Sequence, residues 1–315
     1  VGSFAEAQTV IRAAHQWPSG IGDVRNEMVQ IIAREVTAAD VGLTVRVYPA
    51  QSLFKASDQW SAIVRGQLDI TALPLDYASG RHPQFNATLM PGLVKNHEHA
   101  RRLNDSPFMS SIKQIISDAG AIVLADAWLA GGFASTQRCI LWPQDIQGQV
   151  IRAAGPAFER MLVAAGASIA SMPSSEIYTA MQTGVLDAAN TSSASFVSYR
   201  IYEHTRCMTA PGENALWFMY EPVLISKRRW DRLNDAQRAA FLAASQQAED
   251  YFFEQAKALD LQMESEFRNA GVEIAHMTAE QAQAWKDIAL RTSYETFAQE
   301  VDGGAELIEQ ALAVE

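Results

Sequence analysis

The chain has 315 residues, 48% of them hydrophobic and 19% charged, a composition typical of a globular protein with two domains or one large one. Its net charge of −11 argues against a surface that binds nucleic-acid phosphates. No apolar run approaches the roughly 20 residues that a transmembrane helix needs.

Strands alternate with helices along most of the chain. Strands are predicted at 9–17, 43–49, 68–74 and 121–129, and helices at 23–36, 53–67 and 97–119. The pattern restarts with strands at 149–154, 168–173 and 185–190, separated by helices at 156–165 and 175–183, and strands at 205–210 and 215–226 follow. This interleaving predicts an α/β fold of parallel sheet with helices on both faces.

Two segments resemble each other, WSAIVRGQLDITAL (60–73) and YTAMQTGVLDAANT (178–191). In both, a glycine ends a helix and an aspartate three residues later begins a strand. With the restarted element order, this favours two similar α/β lobes. Lobes of this kind bind ligands at the carboxyl ends of their strands, which predicts a central ligand cleft.

The chain becomes mostly helical after Trp230. One amphipathic pattern covers 234–271, and about 35 helical residues would span roughly 50 Å at 1.5 Å each. Because this exceeds one small domain, the helix is expected to run across both lobes. A strand at 272–277, a threonine-capped helix at 278–301 and a short final helix complete the chain.

The cysteines and the N-terminus leave the cellular compartment open. Cys139 and Cys207 are far apart and lack Cys-x-x-Cys spacing. One disulfide is an alternative, and two free buried thiols are at least as favoured. Residues 1–8 lack a basic patch followed by an apolar core, so no signal peptide is expected in this chain, which is compatible with a mature form.

Arg152 points to a function. It lies in the apolar strand QVIRAA, and no acidic residue occurs within six positions on either side. A guanidinium is rarely buried without a partner, and its planar fork of donors fits a bound carboxylate. The alternative is a structural pairing with a distant acid, which local sequence alone slightly favours.

Five motifs carry a resemblance to a known family. They are YPAQSLF (48–54), VRGQLDI (64–70), WPQDIQGQVIR (142–152), EIYTAMQTGVLDA (176–188) and SKRRWDRL (226–233). Each is weak alone. Together, in their order and spacing, they resemble the solute-binding proteins of tripartite ATP-independent periplasmic (TRAP) transporters over nearly the whole chain.

The resemblance implies a periplasmic-binding-protein-like fold of two lobes. Lobe I would contain 1–127 and about 218–255, and lobe II about 128–217 and 256–315. It also implies a periplasmic monomer, with its signal peptide removed, that captures an organic carboxylate and delivers it to an ion-gradient-driven membrane permease. Neither catalysis nor a cofactor, a nucleic-acid partner or membrane insertion is expected. The ligand-pairing Arg of the family falls on Arg152, which makes a carboxylate clamp the favoured interpretation.

The chain departs from the family pattern before the clamp. Many relatives carry a second Arg there in a Gly-aromatic-Arg step, whereas WLAGGFASTQ (128–137) has no cation. Trp128 and Phe133 instead add apolar surface. This favours a monocarboxylate with a bulky apolar, aromatic or neutral polar remainder.

Other ligand-binding side chains are expected at strand ends. They are Trp17, Asp76, Tyr77, Trp128, Asn190, Ser192, Phe218 and Glu221. Trp17 is equally expected in plain packing, and Ser192 in helix capping. Period two places Phe218 and Tyr220 on one strand face and Trp217 on the other.

Alternative functions depend on acidic residues and histidines. Glu221 could accept a ligand ammonium or hydroxyl, pair with an Arg or, as a minority interpretation, hold a metal ion. An α/β enzyme with Glu221 or Asp76 as general base is a rival function, and a ligand-sensing domain is another. His97 and His99 are expected on different faces of a helix, exposed to solvent.

Overall fold

A computed structural model describes residues 7–315. Residues 1–6, which contain most of the segment tested for a signal peptide, lie outside the described residues. Within 7–315, no helix combines the length and apolar character needed to cross a membrane.

Strands and helices occur in the following order. The strands are β1 (Thr9–Ala14), β2 (Leu43–Tyr48), β3 (Ile70–Ala72), β4 (Ala121–Ala125), β5 (Trp128–Ser135), β6 (Val150–Arg152), β7 (Ser168–Ile169), β8 (Ala188–Ser192), β9 (Cys207–Thr209), β10 (Trp217–Tyr220), β11 (Val223–Ser226) and β12 (Glu273–Ala275). The helices are α1 (Val24–Ala38), α2 (Gln59–Val64), α3 (His97–Leu103), α4 (Pro107–Ala119), α5 (Pro156–Ala164), α6 (Ile177–Gln182), α7 (Ser193–Ser198), α8 (Lys227–Arg232), α9 (Asp235–Asn269), α10 (Ala279–Ala289), α11 (Glu295–Glu300) and α12 (Gly304–Leu312).

The chain divides into two compact units. The first unit comprises the chain up to Leu73, Lys113–Ala127 and Pro222–Glu254, and the second comprises Pro74–Ile112, Trp128–Glu221 and Gln255–Glu315. Residues 74–112 thus group with the second unit, whereas the sequence placed them in lobe I. Their contacts explain this grouping, since Gly92 N donates to Leu216 O and Tyr77 bonds to Arg152.

Each unit contains one sheet, which confirms the predicted two-lobe α/β fold. The first unit has the strand order β2-β1-β3-β11-β4. The second has the order β12-β9-β5-β8-β6-β7, with β10 paired to β5. The long helix α9 is also confirmed, and it has residues in both units.

The prediction of parallel sheet is wrong in part, because both sheets are mixed. β1 runs parallel to β2 and β3, but β11 runs antiparallel to β3 and β4, and β5 runs antiparallel to β8, β9 and β10. The predicted strands 121–129 and 215–226 each break into two, near Asp126 and at Pro222. A proline has no N–H for the ladder, so one strand cannot continue through it. Both breaks coincide with boundaries between the units.

The predicted repeat is present in three dimensions. Gly66 and Gly184 both have the left-handed backbone, with φ of 73° and 78°. Asp69 Oδ2 accepts from the backbone N–H of Arg12 on β1, and Asp187 Oδ2 accepts from that of Val150 on β6. In each unit the aspartate therefore fixes the turn to the neighbouring parallel strand.

Cys139 and Cys207 form a disulfide, with Cα atoms 5.0 Å apart. The pairing of β5 with β9 places Ser135 opposite Cys207 and so brings the two segments together. Of the two alternatives left open by the sequence, free thiols are therefore wrong. Sequence spacing could not decide this, because the contact depends on the sheet.

Glu249 on α9 is a largely buried acid near a second acid, Asp126, and both features disfavour its ionised form. Nearby, Lys113 Nζ pairs with Asp126 Oδ2 at 2.8 Å. Burial, and secondarily the charge of Asp126, raise the pKa of Glu249 from 4.5 to about 7. Because folded Glu249 holds its proton more tightly than unfolded Glu249, stability falls as the pH rises from about 4.5 to about 7.

Glu249→Gln is therefore expected to stabilise the protein at pH 8 by about 2 kcal/mol and to have little effect at pH 4. Urea unfolding at both pH values measures the difference. Glu254→Gln, an exposed position on the same helix, is the matched control. Equal pH profiles for the two variants would contradict the expected role of Glu249.

Candidate functional site

The turn before β6 positions Arg152. Asp145 Oδ2 accepts the backbone N–H groups of Leu141 and Trp142, which closes a short 3-10 turn at Pro143–Ile146. Gly148 then takes a left-handed backbone, with φ of 78°, and its N–H donates to Gly166 O. These contacts explain the Asp-x-x-Gly spacing of the motif. Arg152 is the last residue of β6.

Arg152 is 1% exposed and makes three hydrogen bonds. Its Nε donates to Met172 O, its Nη1 to Asn190 O and its Nη2 to the Tyr77 hydroxyl, each at 3.0 Å. A guanidinium has five N–H groups. Within residues 7–315, one N–H on each terminal nitrogen therefore has no acceptor.

The hydroxyl of Tyr77 joins two segments of the second unit. It accepts from Arg152 and also from the backbone N–H of Ser174, at 2.9 Å. Ser174 is buried, and its Oγ has no hydrogen-bond partner among the described residues. The sequence did not single out Ser174 or Met172, because a serine opening a helix and a backbone carbonyl carry no distinctive pattern.

Asp76 lies beside Tyr77 in a short 3-10 turn, Leu75–Ala78. Its side chain is buried, and neither carboxyl oxygen has a hydrogen-bond partner in the described part of the chain. Burial, and then the charge of Glu159, hold the pKa of Asp76 well above its ordinary value, against the opposing effect of Arg152. The surroundings of Asp76 therefore favour its neutral form more than water does.

β8 supplies the next pair of predicted site residues. Asn190 is fully buried, and its side-chain Nδ2 donates to Gly132 O at 2.8 Å. Its backbone carbonyl oxygen accepts from Arg152 Nη1. Ser192 Oγ accepts from the backbone N–H of Ser195 and so caps α7. The capping interpretation of Ser192 is thus confirmed.

Aromatic side chains pack along β5 and β10. Trp128 and Tyr220 are cross-strand partners with ring centroids 4.9 Å apart, and Trp128 Nε1 donates to Asn104 Oδ1. The Phe218 ring lies 5.2 Å from that of His97. Glu221, which directly follows β10, is buried.

His97 and His99 are not solvent-exposed as expected. His97 Nε2 lies 2.8 Å from Asp260 Oδ2. His99 is buried, and its ring nitrogens bond to the Lys95 N–H and to Val314 O. Both rings are held by residues distant in sequence, which the local pattern could not show.

Trp17 lies in the first unit and is fully buried. Its ring stacks on that of His15 at 5.4 Å, and the Arg25 guanidinium lies 4.6 Å from its centroid. The turn after β2 holds this segment, since Ala50 N donates to Trp17 O and Gln51 N to His15 O. Ala50 and Gln51 both have positive φ, an uncommon backbone for residues other than glycine. Within the first unit, Trp17 therefore makes the packing contacts that one of its two interpretations predicted.

Potential metal-binding groups come together around the disulfide. Among the described residues, the cluster of such groups comprises Cys139, Cys207 and Glu273. Two of its members are joined in the disulfide and so offer no thiolate. Glu221 is not part of that cluster.

The sequence matches a family model. The model describes the bacterial extracellular solute-binding proteins of family 7, and it matches residues 26–300. This chain belongs to that family. The resemblance to TRAP solute-binding proteins is thereby confirmed.

Individual relatives support the assignment. A solute-binding protein of Albidiferax ferrireducens is 35% identical over 311 residues, which cover 97% of this chain and 92% of that protein. The crystal structure of a TRAP periplasmic solute-binding protein from Rhodoferax ferrireducens, with bound malonate, has a TM-score of 0.92 and 34% identity, and the match covers 96% of both chains. A Bordetella pertussis extracytoplasmic solute receptor binding pyroglutamic acid has a TM-score of 0.86, and the match covers 96% of this chain and 99% of that one. Its identity of 19% supports the fold alone.

Family membership decides against the rival enzymatic function. Solute-binding proteins of this family serve transport and are not enzymes, so the general-base role considered for Glu221 or Asp76 does not apply. The family is extracellular, and its relatives include periplasmic proteins. This chain is thus a TRAP solute-binding protein.

Proposed function

We propose that this TRAP solute-binding protein captures a monocarboxylate in the periplasm and delivers it to a TRAP membrane permease. The remainder of the ligand is bulky and apolar, aromatic or neutral polar. The observation that carries the proposal is the incomplete hydrogen bonding of Arg152. One N–H on each terminal nitrogen has no acceptor among residues 7–315.

Two such N–H groups match the two oxygens of a carboxylate. Charge-assisted pairs of this kind are strong and fix the orientation of the bound group. Tyr77 and Asn190 hold the guanidinium in place from two sides, which limits the rotamer entropy lost on binding. The proposed clamp is therefore preorganised.

The absence of a cation along β5 supports a monocarboxylate. β5 carries Trp128 and Phe133 and has no Lys or Arg along Trp128–Ser135. Arg138, the next cation along the chain, donates to the carbonyl of Asp145 instead. The Rhodoferax ferrireducens relative holds malonate, a dicarboxylate, so small dicarboxylates belong in the same test.

The remaining site residues have different degrees of support. Asp76 and Tyr77 are close to Arg152 in the second unit, and Asn190 bonds to it directly. Trp128, Phe218, Glu221 and Ser192 also lie in the second unit, and Trp17 lies in the first. Contact of these five residues with ligand stays a prediction.

A thermal-shift screen over mono- and dicarboxylates tests the proposal. A ligand present at 100 times its dissociation constant stabilises the folded protein by about 2.7 kcal/mol, which is readily measured. We expect shifts with monocarboxylates such as mandelate, phenylacetate and pyroglutamate, and smaller ones with malonate and succinate. Shifts produced by dicarboxylates alone would contradict the monocarboxylate assignment.

A further inference from the structure

We infer that Asp76 is a specificity-determining residue of this site and that it selects carboxylates bearing a hydrogen-bond donor close to the carboxylate. The donor is a hydroxyl, an amide N–H or an ammonium group. The inference rests on the proposed function, since it assumes that Arg152 holds the ligand carboxylate.

The position of Asp76 is fixed from two sides. It is the neighbour of Tyr77, whose hydroxyl lies 3.0 Å from Arg152 Nη2. On its other side the carboxyl group lies against Gly155, three residues after Arg152. A Cβ atom at position 155 would lie only 1.3 Å from Asp76 Oδ2. The carboxyl group therefore occupies the space that a side chain on the β6–α5 turn would take.

The buried carboxyl group of Asp76 has incomplete hydrogen bonding. The residue is 2% exposed, and neither carboxyl oxygen has a hydrogen-bond partner within residues 7–315. Buried polar groups in folded proteins are nearly always bonded, so each exception needs an explanation. In a binding protein, a buried acceptor next to an incompletely bonded cation is explained by a ligand that bonds to both.

Complementarity defines the ligand class. Arg152 offers two N–H donors, which a carboxylate accepts. Asp76 offers acceptors, which a donor on the same ligand satisfies. A plain carboxylate can accept the O–H of neutral Asp76 but leaves the carbonyl oxygen of Asp76 without a donor. A second carboxylate would place another anion near Glu159, whose charge already acts on Asp76. A hydroxy, amido or amino monocarboxylate meets both requirements.

The protonation state separates the members of this class. Burial and Glu159 favour the neutral carboxyl group, against Arg152. Neutral Asp76 accepts a hydroxyl or amide N–H through its carbonyl oxygen without losing its proton. An ammonium group would favour ionised Asp76, so a proton that Asp76 holds before binding would be released to the buffer.

The test is calorimetry with matched ligand pairs. Mandelate and phenylacetate differ by one hydroxyl, pyroglutamate and cyclopentanecarboxylate by a ring amide, and phenylglycine and phenylacetate by an ammonium. We expect the protein to bind the donor-bearing member of at least one pair about 10- to 100-fold more tightly, because the other member leaves the Asp76 carbonyl oxygen without a donor. Repeating the titration in buffers of different ionisation enthalpy identifies an ammonium ligand by its proton release.

Substitutions of Asp76 assign the preference to this residue. Asp76→Ala is expected to bind both members of the preferred pair about equally, whereas Asp76→Asn keeps a carbonyl acceptor and retains the preference for a hydroxyl or amide. Thermal unfolding of each variant verifies that it is folded. Equal affinities for every pair in the unsubstituted protein, or an unchanged ratio in Asp76→Ala, would overturn the inference.

Failure of the proposed function gives a different result. If Arg152→Ala binds these carboxylates as tightly as the unsubstituted protein does, the clamp lies elsewhere and both proposals are wrong. If Arg152→Ala loses binding while the matched pairs bind equally, only the role of Asp76 is wrong.

Discussion

Arg152→Ala is expected to lose at least about 3 kcal/mol of binding free energy for the carboxylate that the protein binds, more than 100-fold in affinity. The substitution removes one charge-assisted pair and leaves the ligand carboxylate without its counter-charge. Isothermal titration with the strongest ligand of the thermal-shift screen measures the loss. An unchanged dissociation constant would place the clamp at another residue.

Two control variants sharpen this experiment. Arg152→Lys keeps the positive charge but lacks the planar fork, so an intermediate affinity is expected. Arg138→Ala removes an arginine of the second unit that donates to the Asp145 carbonyl. It should bind ligand with unchanged affinity. If Arg138→Ala weakens binding as much as Arg152→Ala does, net charge rather than the clamp determines affinity.

The second large effect is expected from the disulfide. The double variant Cys139→Ser, Cys207→Ser should be destabilised by about 4 kcal/mol, because the bond closes a loop between cysteines 68 positions apart and restricts the unfolded chain. Urea unfolding of the double variant measures the loss. The unsubstituted protein unfolded in reductant is the control, and it should approach the stability of the variant.

Ligand binding distinguishes a structural disulfide from a functional one. Neither Cys139 nor Cys207 bonds to Arg152, Tyr77 or Asn190 through its side chain. The folded double variant should therefore bind carboxylate with nearly unchanged affinity. If the double variant loses less than about 1 kcal/mol of unfolding free energy, the pairing of the strands, and not the disulfide, restricts this segment.

Sequence periodicity predicts most of the elements but not how they pair. The strand at Arg152 and the helix over 234–271 are recovered because their patterns are long or bounded by glycine and aspartate. The breaks near Asp126 and at Pro222 were missed because the apolar runs continue through them. Strand direction, and the grouping of residues 74–112, depend on contacts distant in sequence.

The candidate site was likewise predicted only in part. Arg152 was identified because it is a cation in an apolar strand, within a motif. Its contacts with Met172, Asn190 and Tyr77 were not predictable, because two of the acceptors are backbone carbonyls. The unbonded state of Asp76 depends on burial, which a single acidic residue in a loop does not reveal.

The repeated glycine–aspartate turn offers paired attachment points for spectroscopic probes. Gln67 and Val185 each directly follow the turn glycine, and both are exposed, whereas the next residue, Leu68 or Leu186, is buried. Both native cysteines are in the disulfide, so a cysteine introduced at either position would be a unique thiol. An environment-sensitive dye attached to each single variant in turn would report the response of each unit to added carboxylates.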